Sequence, residues 1–102
     1  SNVNLIVIEE TNPNEYILME PYPNPFNPST TIEYSLNNES LISVEIIDMH
    51  GRLIDKVVNN SIKDSGIHSI VWNAQNYSSG VYFIRMIVNN KESGIKKILL
   101  VK

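Results

Sequence analysis

Apolar and polar residues alternate along this chain in short runs, and each run ends at a cluster of Gly, Asn, Asp, Ser or Pro. Alternation of period two sets one face of an extended strand against a core and turns the other to water; no stripe of helical period appears beside it. Thr30 to Leu36 shows the pattern most clearly, with Ile32, Tyr34 and Leu36 on one face. Asn37-Asn38-Glu39-Ser40 makes a turn, and Leu41 to Met49 resumes the alternation with Ile42, Val44 and Ile46 inward. Asp48-Met49-His50-Gly51 closes that strand, with Gly51 suited to a positive φ, and Arg52 to Val58 reads as its hairpin partner. Asn59-Asn60-Ser61 and Lys63-Asp64-Ser65-Gly66 break the chain on either side of a weak Ile62. Ile67 to Asn73 sets His68, Ile70 and Trp72 on one face. After the turn Tyr77-Ser78-Ser79-Gly80, Val81 to Val88 sets Tyr82, Ile84 and Met86 against Val81, Phe83, Arg85 and Ile87. Asn89-Asn90-Lys91-Glu92 turns the chain into a last strand, Ser93 to Val101.

Upstream the pattern weakens. Val3 to Glu9 alternates loosely, Glu9 to Glu15 is broken by Thr11, Asn12, Pro13 and Asn14, and Tyr16 to Met19 is a short apolar run. Pro21, Pro23, Pro25 and Pro28 then fall within one stretch. Each lacks an amide donor and fixes φ, so a central strand is excluded and a stiff segment close to polyproline II is expected. Together these signals predict an all-β, immunoglobulin-like two-sheet antiparallel sandwich of about seven strands. Residues 16–102 form the domain, and residues 1–15 are a linker or the end of an upstream domain.

Composition narrows the function classes. The chain has 102 residues, 42% of them hydrophobic and 19% charged, which suits one folded domain rather than a disordered one. A net charge of −3 gives no footprint for nucleic acid, whose phosphates need clustered cations. With no cysteine there is no disulfide, thiolate chemistry or cysteine-ligated zinc. No apolar run is long enough for a membrane helix, and no secretory signal opens the sequence, so export would need a signal farther upstream in a longer parent.

No catalytic set emerges. His50 falls in a turn, and His68 reads as a half-buried, hydrogen-bonded sheet histidine rather than a general base. Asp48, Asp55 and Asp64 read as solvated surface charge, as do Glu9, Glu10 and Glu15 in the leading segment. The glycines are single and far apart, so no phosphate loop forms, and no acidic calcium loop appears. Trp72, Tyr34, Tyr82 and Phe83 raise the idea of sugar stacking, but the phase of Tyr34, Trp72 and Tyr82 along the strands assigns those three to the core. Lys96, Lys97 and Lys102 make a small basic patch that protects a strand edge. The residues alone point to a non-catalytic sandwich without cofactor or metal.

Five segments, in order, carry a more specific message. Tyr22-Pro23-Asn24-Pro25-Phe26-Asn27-Pro28-Ser29-Thr30-Thr31-Ile32 resembles the opening motif of type IX secretion system C-terminal sorting domains. Val44 to Ile54, with its Gly51-Arg52 turn, resembles the family's hairpin, and Asp64 to Asn73 its Gly-x-His…Trp strand. Ser79-Gly80-Val81-Tyr82 resembles its Ser-Gly-Val-Tyr strand, and Lys96-Lys97-Ile98-Leu99-Leu100-Val101-Lys102 its Lys-rich ending. The pattern is also similar to the immunoglobulin-like domain of the flagellar hook-capping family. Met49-His50 departs from the aromatic residue common before the turn glycine.

The resemblance implies a folded domain read by outer-membrane secretion machinery that carries upstream cargo in the same chain to the cell surface. A sortase-like peptidase would then cut in a linker such as Glu9 to Glu20 and join the cargo to a surface anchor. It implies a secreted or cell-surface protein, a monomer with no membrane insertion, and a recognition motif of Pro23, Asn24, Pro25, Phe26, Asn27, Pro28, Gly80, Tyr82, Lys96, Lys97 and Lys102. Two other classes remain open at this point. One is a structural or adhesive immunoglobulin-like spacer. The other is a carbohydrate-binding module of a secreted hydrolase, which requires Trp72 and Tyr82 on an exposed flat face.

Overall fold

A computed structural model describes residues 16–102. The alternating runs become strands: β1 (Tyr16–Leu18), β2 (Ser29–Leu36), β3 (Ser40–Asp48), β4 (Leu53–Lys63), β5 (Gly66–Asn73), β6 (Gly80–Val88) and β7 (Lys91–Leu100). They form two antiparallel sheets, in the orders β1-β2-β5 and β4-β3-β6-β7. In the constant-type immunoglobulin arrangement the fourth strand joins the first sheet. Here β4 stays hydrogen-bonded to β3, its hairpin partner. The loose run Val3 to Glu9 lies outside the described residues.

The inward faces are those the alternation predicts. Ile32, Tyr34 and Leu36 of β2 meet Ile42, Val44 and Ile46 of β3, and Tyr82, Ile84 and Met86 of β6 complete the layer. Ile98 and Leu100 close it from β7. The strand β3 has neighbours on both sides and is also covered on its outer face, so Ser43, Glu45 and Ile47 are buried as well. Glu45 is made tolerable there by Arg85 across the pair, whose guanidinium donates to Glu45 Oε1 at 2.7 Å and 3.1 Å. The two sheets come close where β1 packs on β7 at Gly94. A Cβ there would stand 3.2 Å from the Leu18 Cβ, so glycine makes room for the contact.

Two turns follow their residue chemistry. Asn89 and Asn90 link β6 to β7 with φ of 51° and 69°, the left-handed pair of a tight hairpin. Asn89 also donates its backbone N–H to the Leu41 carbonyl and accepts the Leu41 N–H on Oδ1. At the β3–β4 turn, Gly51 has φ 84°. Asp48 accepts the amides of His50 and Arg52 and the Arg52 side chain.

The structure corrects two local expectations. Asn59-Asn60-Ser61 does not end a strand, because β4 runs on to Lys63 and absorbs the break as a bulge. Asn60 takes φ 45° there, and its N–H donates to Ser43 Oγ while its Oδ1 accepts the Ser43 hydroxyl. The proline stretch is not a free polyproline rod either. Tyr22 bridges Thr31, Phe26 bridges Leu100, and the Tyr22-Pro23, Asn24-Pro25 and Asn27-Pro28 bonds are cis.

Candidate functional site

The proline stretch and the end of β7, about seventy residues apart in the sequence, are built into one feature. Asn24 reaches over the outer edge of β7: its Nδ2 donates to the Lys97 carbonyl at 3.0 Å, and its Oδ1 accepts the Leu99 N–H at 3.0 Å. One residue pair farther, Phe26 N–H donates to the Leu99 carbonyl at 2.9 Å and its carbonyl accepts Val101 N–H at 3.0 Å. An amide side chain carries one acceptor and one donor head, as a peptide does, so Asn24 extends the short Phe26 pairing by one step. The loop thus acts as a parallel partner for the last residues of β7.

Packing fixes the loop from below. Phe26 is only 2% exposed and its ring lies 5.8 Å from that of Trp72. The Thr30 hydroxyl donates to the Pro23 carbonyl, and Ala74 N–H donates to the Pro28 carbonyl. The Tyr22 hydroxyl donates to Glu33, whose negative charge raises the phenol above its ordinary range. Proline suits positions 23, 25 and 28 because the amide donors that the loop needs come from Tyr22 and Phe26.

Trp72 is the hub beneath. Its ring lies 5.6 Å from Tyr77 and 5.8 Å from Tyr82, and its indole N–H donates to Asp55 Oδ2 at 2.9 Å. Asp55 is therefore not the solvated charge expected of it: it bridges from β4 to β5 in the other sheet. Tyr77 adds a second link to β4, donating its hydroxyl to the Ile54 carbonyl. The Tyr82 hydroxyl donates to the Ser78 carbonyl at 2.6 Å. This is a tyrosine corner, and it explains the Ser-Gly-Val-Tyr run as a structural device at the entry of β6. With Trp72 and Tyr82 both buried, neither offers a flat ring to a sugar, and the carbohydrate-binding reading loses its requirement.

The three lysines do not form one patch. Lys96 follows the inward phase of Ile98 and Leu100 and reaches out to Glu20 at 2.8 Å. Lys97 lies on the opposite, solvent face, between exposed Ile95 and Leu99. Lys102 folds back over the β5–β6 loop, its ammonium donating to the carbonyls of Gln75 and Tyr77 and its amide to Ser79 Oγ. Sequence reasoning placed these residues together by spacing alone. The alternation of the strand separates the first two, and the chain's end turns the third.

Several contacts that hold the site were not visible in the sequence. Asp55, Tyr77 and Ser79 hold the feature by single hydrogen bonds across strands, which no local spacing reveals. His68, as expected, is a half-buried sheet residue, with Nε2 2.8 Å from the Asp64 carbonyl and its ring stacked 5.3 Å from Tyr34. Among the described residues, no group of three or more His, Cys, Asp or Glu side chains could hold a metal ion.

Comparison with known proteins gives one family and one shared fold. The model of the family described as "Secretion system C-terminal sorting domain" matches residues 20–102. Curated proteins show no match. Among solved structures, the alkylpurine DNA glycosylase of Pseudomonas fluorescens bound to DNA containing an abasic site analogue has a TM-score of 0.61 at 11% identity. The similarity covers 96% of this chain but only 33% of that one, and it shows a shared fold alone. CopC from Methylosinus trichosporium has a TM-score of 0.48 at 14% identity, over 83% of this chain and 90% of that one.

Proposed function

The chain belongs to the secretion system C-terminal sorting domain family, and from that membership we propose that the loop Pro23–Pro28 and the end of β7 are together the surface that the export machinery reads. Membership makes this a sorting signal for type IX secretion on a secreted or cell-surface protein, in a family that is generally non-catalytic. The observation that carries the surface assignment is the Asn24–Phe26 pairing with β7. It joins the family's opening and closing motifs into one surface that exists only in the folded domain. Lys97 is the charge this surface presents, with Ile95 49% exposed, Leu99 39% and Val101 47% around it. Buried Phe26, Gly80 at the start of β6 and Tyr82 hold the surface rather than touch a partner.

In this reading the upstream cargo follows the folded domain across the outer membrane, and a sortase-like peptidase then removes the domain and anchors the cargo at the surface. The bond cut lies before Tyr16, a narrower window than Glu9 to Glu20. Residues Tyr16–Leu18 are paired with β2, Met19 donates to Glu33, and Glu20 holds Lys96, so a cut there would need the fold to open.

The test is a fusion of residues 16–102 behind a reporter with a periplasmic targeting signal, in a host that has the secretion system. The reporter is expected at the cell surface. Lys97→Glu, exposed and outside the core, is expected to leave the fold intact and the reporter in the periplasm. Surface delivery of that variant at the native level would overturn the surface assignment while leaving the sorting role standing. Retention of the unaltered fusion would count against the sorting role itself.

A further inference from the structure

Two open sheets have four edges, and an edge strand offers unpaired peptide groups to any other strand. Three of the four are blunted here. β1 is only three residues long. β4 is bulged at three register shifts and carries Asp55, Lys56 and Lys63. β7 is covered at its end by the Asn24–Phe26 loop. Among the described residues, β5 has none of these protections. It pairs with β2 in unbroken register from Ser29↔Asn73 to Leu36↔Gly66, and its sequence, GIHSIVWN, holds no proline, lysine, arginine or carboxylate.

The direction of its free peptide groups follows from β2. Thr31 and Glu33 spend their backbone groups on the other side, with Tyr22 and Met19. The even residues of β2 therefore face β5, where they meet Gly66, His68, Ile70 and Trp72. Ile67, Ser69 and Val71 are left, among the described residues, to direct their N–H and C=O groups off the edge. Their side chains point outward from the sandwich, with Ile67 69% exposed and Val71 59%.

We propose that this edge pairs with the β5 edge of a second copy of the chain, antiparallel about Ser69. Read backwards about that residue, the strand matches itself: Ile67 faces Val71 of the copy, Ser69 faces Ser69, and His68 faces Ile70. Both apolar outward positions meet apolar partners, and no charge faces a like charge, a condition under which cross-strand pairs attract. A partner strand bearing lysine or glutamate would lay those charges against Ile67 and Val71, so the bare edge favours its own copy. The result is one six-stranded sheet, β1-β2-β5 continued into its image. Its interface is small, so the pairing is reversible and concentration-dependent. It is independent of the sorting role and sets aside the monomer expected from sequence.

Sedimentation equilibrium on the full chain tests this, from about 10 μM to about 1 mM, the range suited to a small interface. The native chain is expected to move from monomer towards dimer across that range. The double variant I67K/V71K places lysine opposite lysine and is expected to stay monomeric at every concentration, with the far-UV circular dichroism and Tm of the native protein. Ile67→Glu mixed with Val71→Lys places opposite charges across one contact and is expected to associate more tightly than either variant alone. A native chain that is monomeric throughout, a double variant that still dimerises, or a mixture no tighter than its parts would each overturn the proposal.

Discussion

Trp72 shows what a single side chain decides in this fold. Its alternation phase marks it as core, but the carboxylate that accepts its indole N–H comes from Asp55 in the other sheet. Asp55→Ala leaves a buried donor without a partner, and a loss of about 1–3 kcal/mol is expected from chemical denaturation. Tyr82→Phe removes only the corner hydrogen bond to Ser78 and is expected to cost about 1 kcal/mol in the same measurement. Asp48 makes the fold sensitive to acid. Amide and side-chain hydrogen bonds from Arg52 and the His50 amide, led by the Arg52 amide, hold its carboxyl below the ordinary 3.8, and partial burial opposes them only in part. A lowered folded pKa means stability that is complete above the unfolded value and is lost as pH falls through the folded one. The Tm gap between native protein and Asp48→Asn is therefore expected to be widest near neutral pH and to close as pH falls past the ordinary 3.8 and through the lowered folded value. Thermal melts across that window would show it.

Elements show why sequence reading reached some parts and not others. β2 and β6 were legible because each has a buried face and a wetter face, and period two reports that difference directly; β3 was legible from its inward Ile42, Val44 and Ile46, although its outer face is buried as well. The β6–β7 turn was legible because asparagine tolerates left-handed backbone. β4 was misread at Asn59 to Ser61, since polar turn residues also serve a bulge when a neighbouring strand supplies partners, as Ser43 does for Asn60. The proline loop was misread for a related reason. Four prolines rule out a ladder strand, but they do not say whether the segment stands free or docks. Docking depends on Asn24 and Phe26 meeting β7 from the far end of the sequence. Asn24→Ala is expected to leave the sandwich folded while hydrogen exchange quickens at Leu99, whose amide loses its acceptor. Phe26→Ala removes a fully packed ring beside Trp72 and is expected to cost about 3–5 kcal/mol.

At the scale of the whole molecule, the design is two sheets whose last strand is held by the segment that precedes the first long one. Deleting Ser93 to Lys102 removes the inward Ile98 and Leu100, the partner of the proline loop and one neighbour of β6. A parent protein truncated in this way is expected to remain in the periplasm, measured by cell fractionation. The candidate surface was legible in its parts, because the motifs at Pro23 to Pro28 and Lys96 to Lys102 stand out by composition. Their union was not, since it rests on the Asn24 side chain and on strand phase. The aromatic hub has one more consequence. Trp72 is the only tryptophan in the chain. It touches the proline loop through Phe26, the β5–β6 loop through Tyr77, and the opposite sheet through Tyr82 and Asp55. Its fluorescence thus comes from one water-poor place where the proline loop, the β5–β6 loop and both sheets meet. The protein carries its own optical gauge of whether the signal is assembled, readable on each purified variant without any added label.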